Sequence, residues 1–134
     1  MPGSLADKQA IRTALIQFAN AGELTYYGEL GEKVGKHARW PLWKPILDEI
    51  SREETQGSER YPQGKPDITF IVLNSASGWP GQIGFKPTNG NPTQTQIAKA
   101  QEELTKVFKH YCPGKSVPQL PLPKRKKILG RRSR

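Results

Sequence analysis

The sequence predicts an α+β domain of winged helix-turn-helix type, and three observations carry that expectation. Three segments with helical apolar spacing come first. A β-branched apolar run, a glycine turn and an aromatic-bearing return follow. A last amphipathic segment then closes the globular part ahead of a Pro/Lys/Arg-rich end. The expected order is three N-terminal helices, a β-hairpin wing and a C-terminal helix. In such an arrangement two small helices brace a third, which meets a nucleic-acid groove by its N-terminal end beside the wing. With 134 residues the chain holds one domain and one modest core.

Ile11, Ala14, Leu15, Phe18 and Ala19 fall on one face at i, i+3, i+4, i+7 and i+8 and define the first helix. Ser4 with Asp7 resembles a capping box at its start, and Gly22 is placed to end it. A short second helix is expected after Thr25, a fair N-cap, with Tyr27, Leu30 and Val34 on one face and Gly35 at its end. Gly28 and Gly31 weaken it by up to about 1 kcal/mol each, so their presence points to close approach of a neighbouring backbone. Trp43, Ile46, Leu47 and Ile50 line the third helix. Pro41 and Pro45 belong in or before its first turn, because an interior proline costs about 3 kcal/mol, and the helix frays by Glu54.

Residues 55–66 are polar and read as a loop. Residues 68–73 form a continuous apolar, β-branched run, expected as a strand. Residues 74–78 have turn chemistry, and residues 79–85 alternate large side chains with glycine and return as the second strand. Beyond the loop at 86–92, Thr93 and Gln96 form a capping box for a helix lined by Ile97, Leu104, Val107, Phe108 and Tyr111 and closed by Gly114. The winged-helix-like domain is therefore expected over residues 1–114. Residues 115–134 read as a disordered basic tail, because isolated leucines among Pro118, Pro121 and Pro123 bury too little surface to offset ordering entropy.

Charge follows the same division. The net charge is +9, and residues 115–134 supply eight of it through Lys115, Lys124, Arg125, Lys126, Lys127, Arg131, Arg132 and Arg134, with no acid among them. The body is nearly neutral, and a polycation of this kind gains affinity for phosphates by counterion release. Within the body, Lys36, His37, Arg39 and Lys44 gather at the start of the third helix, while Asp48, Glu49, Glu53 and Glu54 occupy its C-terminal half. That layout suits an end-on approach to phosphates. The plainer alternative is a set of solvated charges, although acids near a helix C-terminus oppose the macrodipole. Trp40 at the helix start and Trp79 on the wing are candidates for stacking on a base, with ordinary packing the alternative; Gln82 joins them from the wing. Trp43 belongs to the core face.

Thr25-Tyr26-Tyr27-Gly28-Glu29-Leu30-Gly31, followed by Val34-Gly35, resembles the T-x-Y-G-[D/E]-[L/I]-[A/G]-x-x-[L/V]-G helix of the alkylguanine-DNA alkyltransferases and alkyltransferase-like proteins. Phe70-Ile71-Val72-Leu73-Asn74, then Gly78 and Gly81, is similar to their R-V-V-N-x-x-G-x-x-x-G strand and wing. The resemblance covers roughly residues 24–85 and rests on short motifs. It implies a winged helix on the DNA minor groove, unlike the major-groove approach above, with a basic helix residue that helps displace the target base. Arg39 is the nearest match. The family's Pro-Cys-His-Arg, or Pro-Trp-His-Arg in its non-catalytic branch, falls near Pro66-Asp67-Ile68-Thr69, where neither the cysteine nor the histidine stands. Methyl transfer needs an activated thiolate. Cys112 lies outside the resembling region, so the resemblance implies the DNA-binding scaffold without that chemistry.

Enzyme readings find little footing. His37 and His110 have no metal-ligand spacing, and the single Cys112 excludes an internal disulfide or a cysteine-built metal site. Pro66-Asp67 is not followed by the Glu-x-Lys of a nuclease, and residues 31–35 lack a phosphate-loop signature. No apolar run reaches the ~18 residues of a membrane span, and no secretory signal develops. The expectation is a monomeric, non-catalytic, cytoplasmic or nucleoid-associated protein (nuclear in a eukaryotic host) with no cofactor and no metal. Its partner would be DNA, with RNA the alternative, and no membrane. Rival readings are a phage- or mobile-element-type protein-interaction adaptor or inhibitor using Trp40 and Trp79, whose tail is incidental or a targeting signal, and a small enzyme with an unrecognised acidic site.

Overall fold

The first helical period is realised as α1 (Leu5–Asn20), which buries Ile11, Ala14, Leu15 and Ala19 in a computed structural model that describes residues 5–83 and 92–123. Ser4 lies outside the described residues. The chain turns at Gly22, φ +70°, into β1 (Thr25–Tyr26) and α2 (Tyr27–Val34). Thr25 is not the N-cap. It is a buried strand residue whose hydroxyl donates to the Tyr26 carbonyl at 3.3 Å, and Tyr26 takes the cap position without a side-chain bond. Gly35 ends α2 in the left-handed conformation, as its position predicts. The close backbone approach is real at Gly31, where a Cβ would collide with the Lys36 carbonyl oxygen. Gly28 meets nothing nearer than the Ala38 Cβ at 4.0 Å.

The next helix, α3 (Trp43–Thr55), holds Pro45 in its first turn and buries Trp43, Ile46, Leu47 and Ile50. The apolar run after it departs from expectation. Ile68–Ile71 is a 3-10 turn, and only β2 (Val72–Leu73) is extended. A run that is apolar on every side is here buried on every side, which either conformation satisfies. Asp67 decides between them locally: its carboxylate accepts from the Thr69 N–H at 3.1 Å and from the Ser51 hydroxyl at 2.6 Å, capping the turn. β2 pairs in parallel with β1, Thr25 opposite Val72 and Tyr26 opposite Leu73.

Among the described residues the expected hairpin is contracted to a single antiparallel bridge, Leu73 with Pro80, followed by a 3-10 turn at Gly81–Ile83. Proline has no N–H to continue a ladder, so the return ends where it begins. Residues 84–91 lie outside the described residues. The capping box of α4 (Gln94–Tyr111) forms as read, with Gln96 N–H to Thr93 Oγ1 at 3.1 Å and Thr93 N–H to Gln96 Oε1 at 2.8 Å. Among the described residues, four helices and a two-stranded parallel sheet thus share one core of α+β class.

Residues 115–123 are extended, yet they are strapped to the body. Leu120 is buried, and the Gln101 amide donates to the Pro118 carbonyl at 2.9 Å and accepts from the Leu120 N–H at 3.1 Å. The Leu122 N–H reaches the Gly78 carbonyl at 2.9 Å, and the Tyr26 hydroxyl donates to the Leu122 carbonyl at 2.8 Å. Burial of one leucine and bonds to backbone polar groups offset an ordering cost that composition alone leaves unmet. At Gly78, φ +78°, the strap passes so close that a Cβ would overlap the backbone of Leu122 and Pro123. Residues 124–134 lie outside the described residues.

Candidate nucleic-acid interface

Three of the four acids of α3 are engaged by residues outside the helix. Glu49 pairs with Lys8, and Glu53 with Lys8 and Arg12. Glu54, 5% exposed, meets the Lys65 ammonium at 3.0 Å, the Arg12 guanidinium at 3.6 Å and the Tyr111 hydroxyl at 3.4 Å. Hydrogen bonds from Lys8 and then Arg12 hold the Glu53 carboxyl below its ordinary value, and bonds to Glu49 and Glu53 raise the Lys8 ammonium above its own. Burial, then the charge of Glu54, pushes the Tyr111 phenol up. These acids are therefore a seam against α1, not the solvated face that their pairing in the sequence suggests.

The cations at the front of α3 divide differently. Lys36 is half-buried, pairs with Asp7 at 3.2 Å and stands 4.7 Å from the centre of the Trp40 ring. The turn that follows is built by its backbone. The Trp43 indole N–H and the Trp40 N–H both donate to the His37 carbonyl, at 2.9 and 3.0 Å, and the Arg39 N–H donates to His37 Nδ1 at 3.0 Å. His37 and Arg39 point into solvent from this fixed turn. Lys44 is 80% exposed, with Asp48 one turn on at 3.2 Å. Trp40 is half-buried and packs edge-to-face on Trp43, centroids 5.2 Å apart. Trp79, expected at an exposed wing tip, is 9% exposed and belongs to the core. Gln82 is half-buried. Lys124, Arg125, Lys126, Lys127, Arg131 and Arg132 lie outside the described residues.

Arg39 borders a groove of about 350 Å³ lined also by Tyr26, Tyr27, Gly28, Ala38, Asn74 and Ser75. Tyr26 ties this groove to the strap through Leu122, and Asn74 ties it to the tight turn, where its carbonyl accepts from the Gly78 N–H at 2.7 Å. The basic stretch that starts at Lys124 therefore begins two residues after Leu122, which is bonded to the groove-lining Tyr26 and to Gly78. Burial, then the charge of Asp48, raises the Tyr27 phenol, so it stays neutral at ordinary pH.

A second, larger cleft of about 920 Å³ lies between α3, residues 63–67 and α4. It gathers Lys44, Lys65, Lys99, Lys106, Lys109 and His110 around Asp48, Asp67 and Glu103, with Gln82 at its border. Sequence reasoning passed over the α4 cations. Their signal was the spacing of Lys99, Lys106 and His110 at i, i+7 and i+11, a stripe along one flank of the helix. Cys112 is buried, and burial raises its thiol above the ordinary value, which disfavours the thiolate. Among the described residues no cluster of three His, Cys, Asp or Glu is placed to hold a metal, and no helix is long and apolar enough to cross a membrane. No protein family, curated protein or solved structure matches the chain.

Proposed function

We propose that the protein binds double-stranded DNA, without catalysis, at the face where the α2–α3 turn meets the root of the basic arm. The observation that carries this reading is a link between the two: Tyr26 lines the groove that Arg39 borders, and its hydroxyl donates to the carbonyl of Leu122, two residues before the basic stretch begins. Two cationic features far apart in sequence thereby address one polyanion. Pairing Glu49, Glu53 and Glu54 with Lys8, Arg12 and Lys65 engages three carboxylates within the fold, while His37 and Arg39 stay exposed.

The finer fold reading is a winged helix with a reduced wing, α1 and α2 bracing α3 and the 74–80 return standing where a ribbon would be. The resemblance to the alkyltransferase-like scaffold gains support from the groove itself, because Tyr26, Tyr27 and Gly28 from its first segment and Asn74 from its second line one wall system with Arg39. Under that reading Arg39 enters the duplex and the arm neutralises phosphates. The adaptor alternative relied on Trp40 and Trp79 as an exposed pair and has less to stand on, since Trp79 is in the core.

Fluorescence anisotropy of labelled duplex with the full chain, the chain ending at Pro123 and the Arg39→Ala variant, each at two salt concentrations, tests the reading. Loss of the arm lowers the log–log salt slope by several units, each neutralised phosphate contributing about 0.9. The shortened chain keeps a salt-sensitive affinity that Arg39→Ala weakens. Binding that departs entirely with the arm removes the body from the account, and no affinity in dilute buffer removes the function.

A further inference from the structure

The α3–α4 cleft is separate from the Arg39 groove, and the DNA-binding reading makes no use of it. Its wall opposite α4 is fixed in place: the Lys65 N–H donates to the Glu54 carbonyl at 2.8 Å, and Gly64, φ +79°, seats the loop so closely on Thr55 that a Cβ would overlap the Thr55 carbonyl. Asp67 is held by Ser51 and Thr69, with the half-buried Pro66 beside it supplying apolar surface. The cleft's volume falls within the roughly 300–1,000 Å³ of small-molecule sites.

Charge decides what it takes. Five lysines face three carboxylates; Lys65 is paired with Glu54, and Asp67 is bonded only to hydroxyl and amide groups and keeps its negative charge. Asp48 holds Lys44 at 3.2 Å, and Asp67 accepts from Ser51 and Thr69. Glu103 presents one oxygen to two ammonium groups, Lys106 at 3.3 Å and Lys99 at 3.7 Å, so that trio keeps a positive charge. Lys109 is exposed and has no carboxylate partner among the described residues. Lysines act on phosphate as compact point charges with three donors each, and several on one wall match a group carrying more than one negative charge better than a single carboxylate.

We propose that this cleft binds a phosphate-bearing ligand of nucleotide size, its phosphates on Lys106, Lys109 and Lys99 and its ring against Pro66. Such a ligand is either a free nucleotide or the 5′-phosphorylated end of a nucleic-acid strand, and the chemistry at the cleft is the same. Isothermal titration of the full chain with pyrophosphate, ATP, and a tetranucleotide with and without its 5′-phosphate, at about 150 mM salt to suppress loose attraction to the arm, separates the cases. Saturable one-to-one binding is expected, weakened by about tenfold or more in the K106Q/K109Q variant and unchanged in Arg39→Ala. Preference for the phosphorylated tetranucleotide over ATP assigns the strand end, and the reverse assigns the free nucleotide. No saturable binding, or equal binding by K106Q/K109Q, overturns the proposal. Duplex affinity in the same samples reads the Arg39 groove independently, so the two readings fail separately.

Discussion

The two ends of α3 carry opposite charge and use it in opposite ways. At the C-terminal half, Glu49, Glu53 and Glu54 turn onto Lys8 and Arg12 of α1, and Glu54 is buried there with Lys65 and Tyr111. At the front, His37 and Arg39 remain in water, held up by a turn whose hydrogen bonds go to the His37 carbonyl and ring. The first region spends its charge on the fold. The second keeps it available for a partner. A count of charges along the helix treats the two alike, and only their neighbours tell them apart.

If that contrast is right, changes at the two ends report in different measurements. The largest expected effect is Glu54→Ala, which leaves Arg12 and Lys65 without their shared carboxylate. Urea unfolding should show a loss of about 3 kcal/mol, the low end of the range for breaking a buried pair because Arg12 and Lys65 are partly exposed, while DNA affinity of the folded variant is unchanged. Next is deletion of residues 124–134, expected to cut duplex affinity by about a hundredfold at low salt, some 2.7 kcal/mol, without moving the unfolding midpoint. Arg39→Ala should cost about fivefold in affinity, close to 1 kcal/mol, and leave stability within about 0.5 kcal/mol, as for an exposed site. A fall in stability there would place Arg39 with the structural charges.

The smallest effect is acid sensitivity of the seam. Glu53 is held below its ordinary value by Lys8 and Arg12, so folding favours its ionised form. The stability it lends is present above the ordinary carboxylate range and is lost as pH falls through the lowered value. Because the side chain is 36% exposed, water screens the pair and the contribution is no more than about 0.5 kcal/mol. Unfolding curves of Glu53→Gln should run below those of the parent at neutral pH and merge with them in acid. A constant gap across pH would mean that the pair does not titrate as a unit.

What could be read from the sequence was local. The faces of α1 and α3, the capping box of Thr93 and Gln96, and the stops at Gly22 and Gly35 all rest on residues within a few positions of one another. The failures were long-range. The run at 68–73 looked like one strand of a hairpin, but its partner is the Thr25–Tyr26 pair, parallel and remote in sequence, and no local spacing announces it. Trp79 in a glycine-flanked turn reads as exposed until the core that covers it is assembled. The strap was hidden because its hold depends on Gln101 of α4 and Tyr26 of β1, not on the strap's own residues. Arg39 was singled out on sequence, whereas the groove around it and the whole α3–α4 cleft needed three segments brought together.

The central claim is most directly tested by the amide NMR spectrum of the isotope-labelled full chain titrated with a short DNA duplex. Shifts are expected at Tyr26, Tyr27 and Gly28, at Ala38 and Arg39, and at Asn74 and Ser75, together with the arm. Shifts confined to residues 124–134, or centred on the α1–α3 seam, would contradict it.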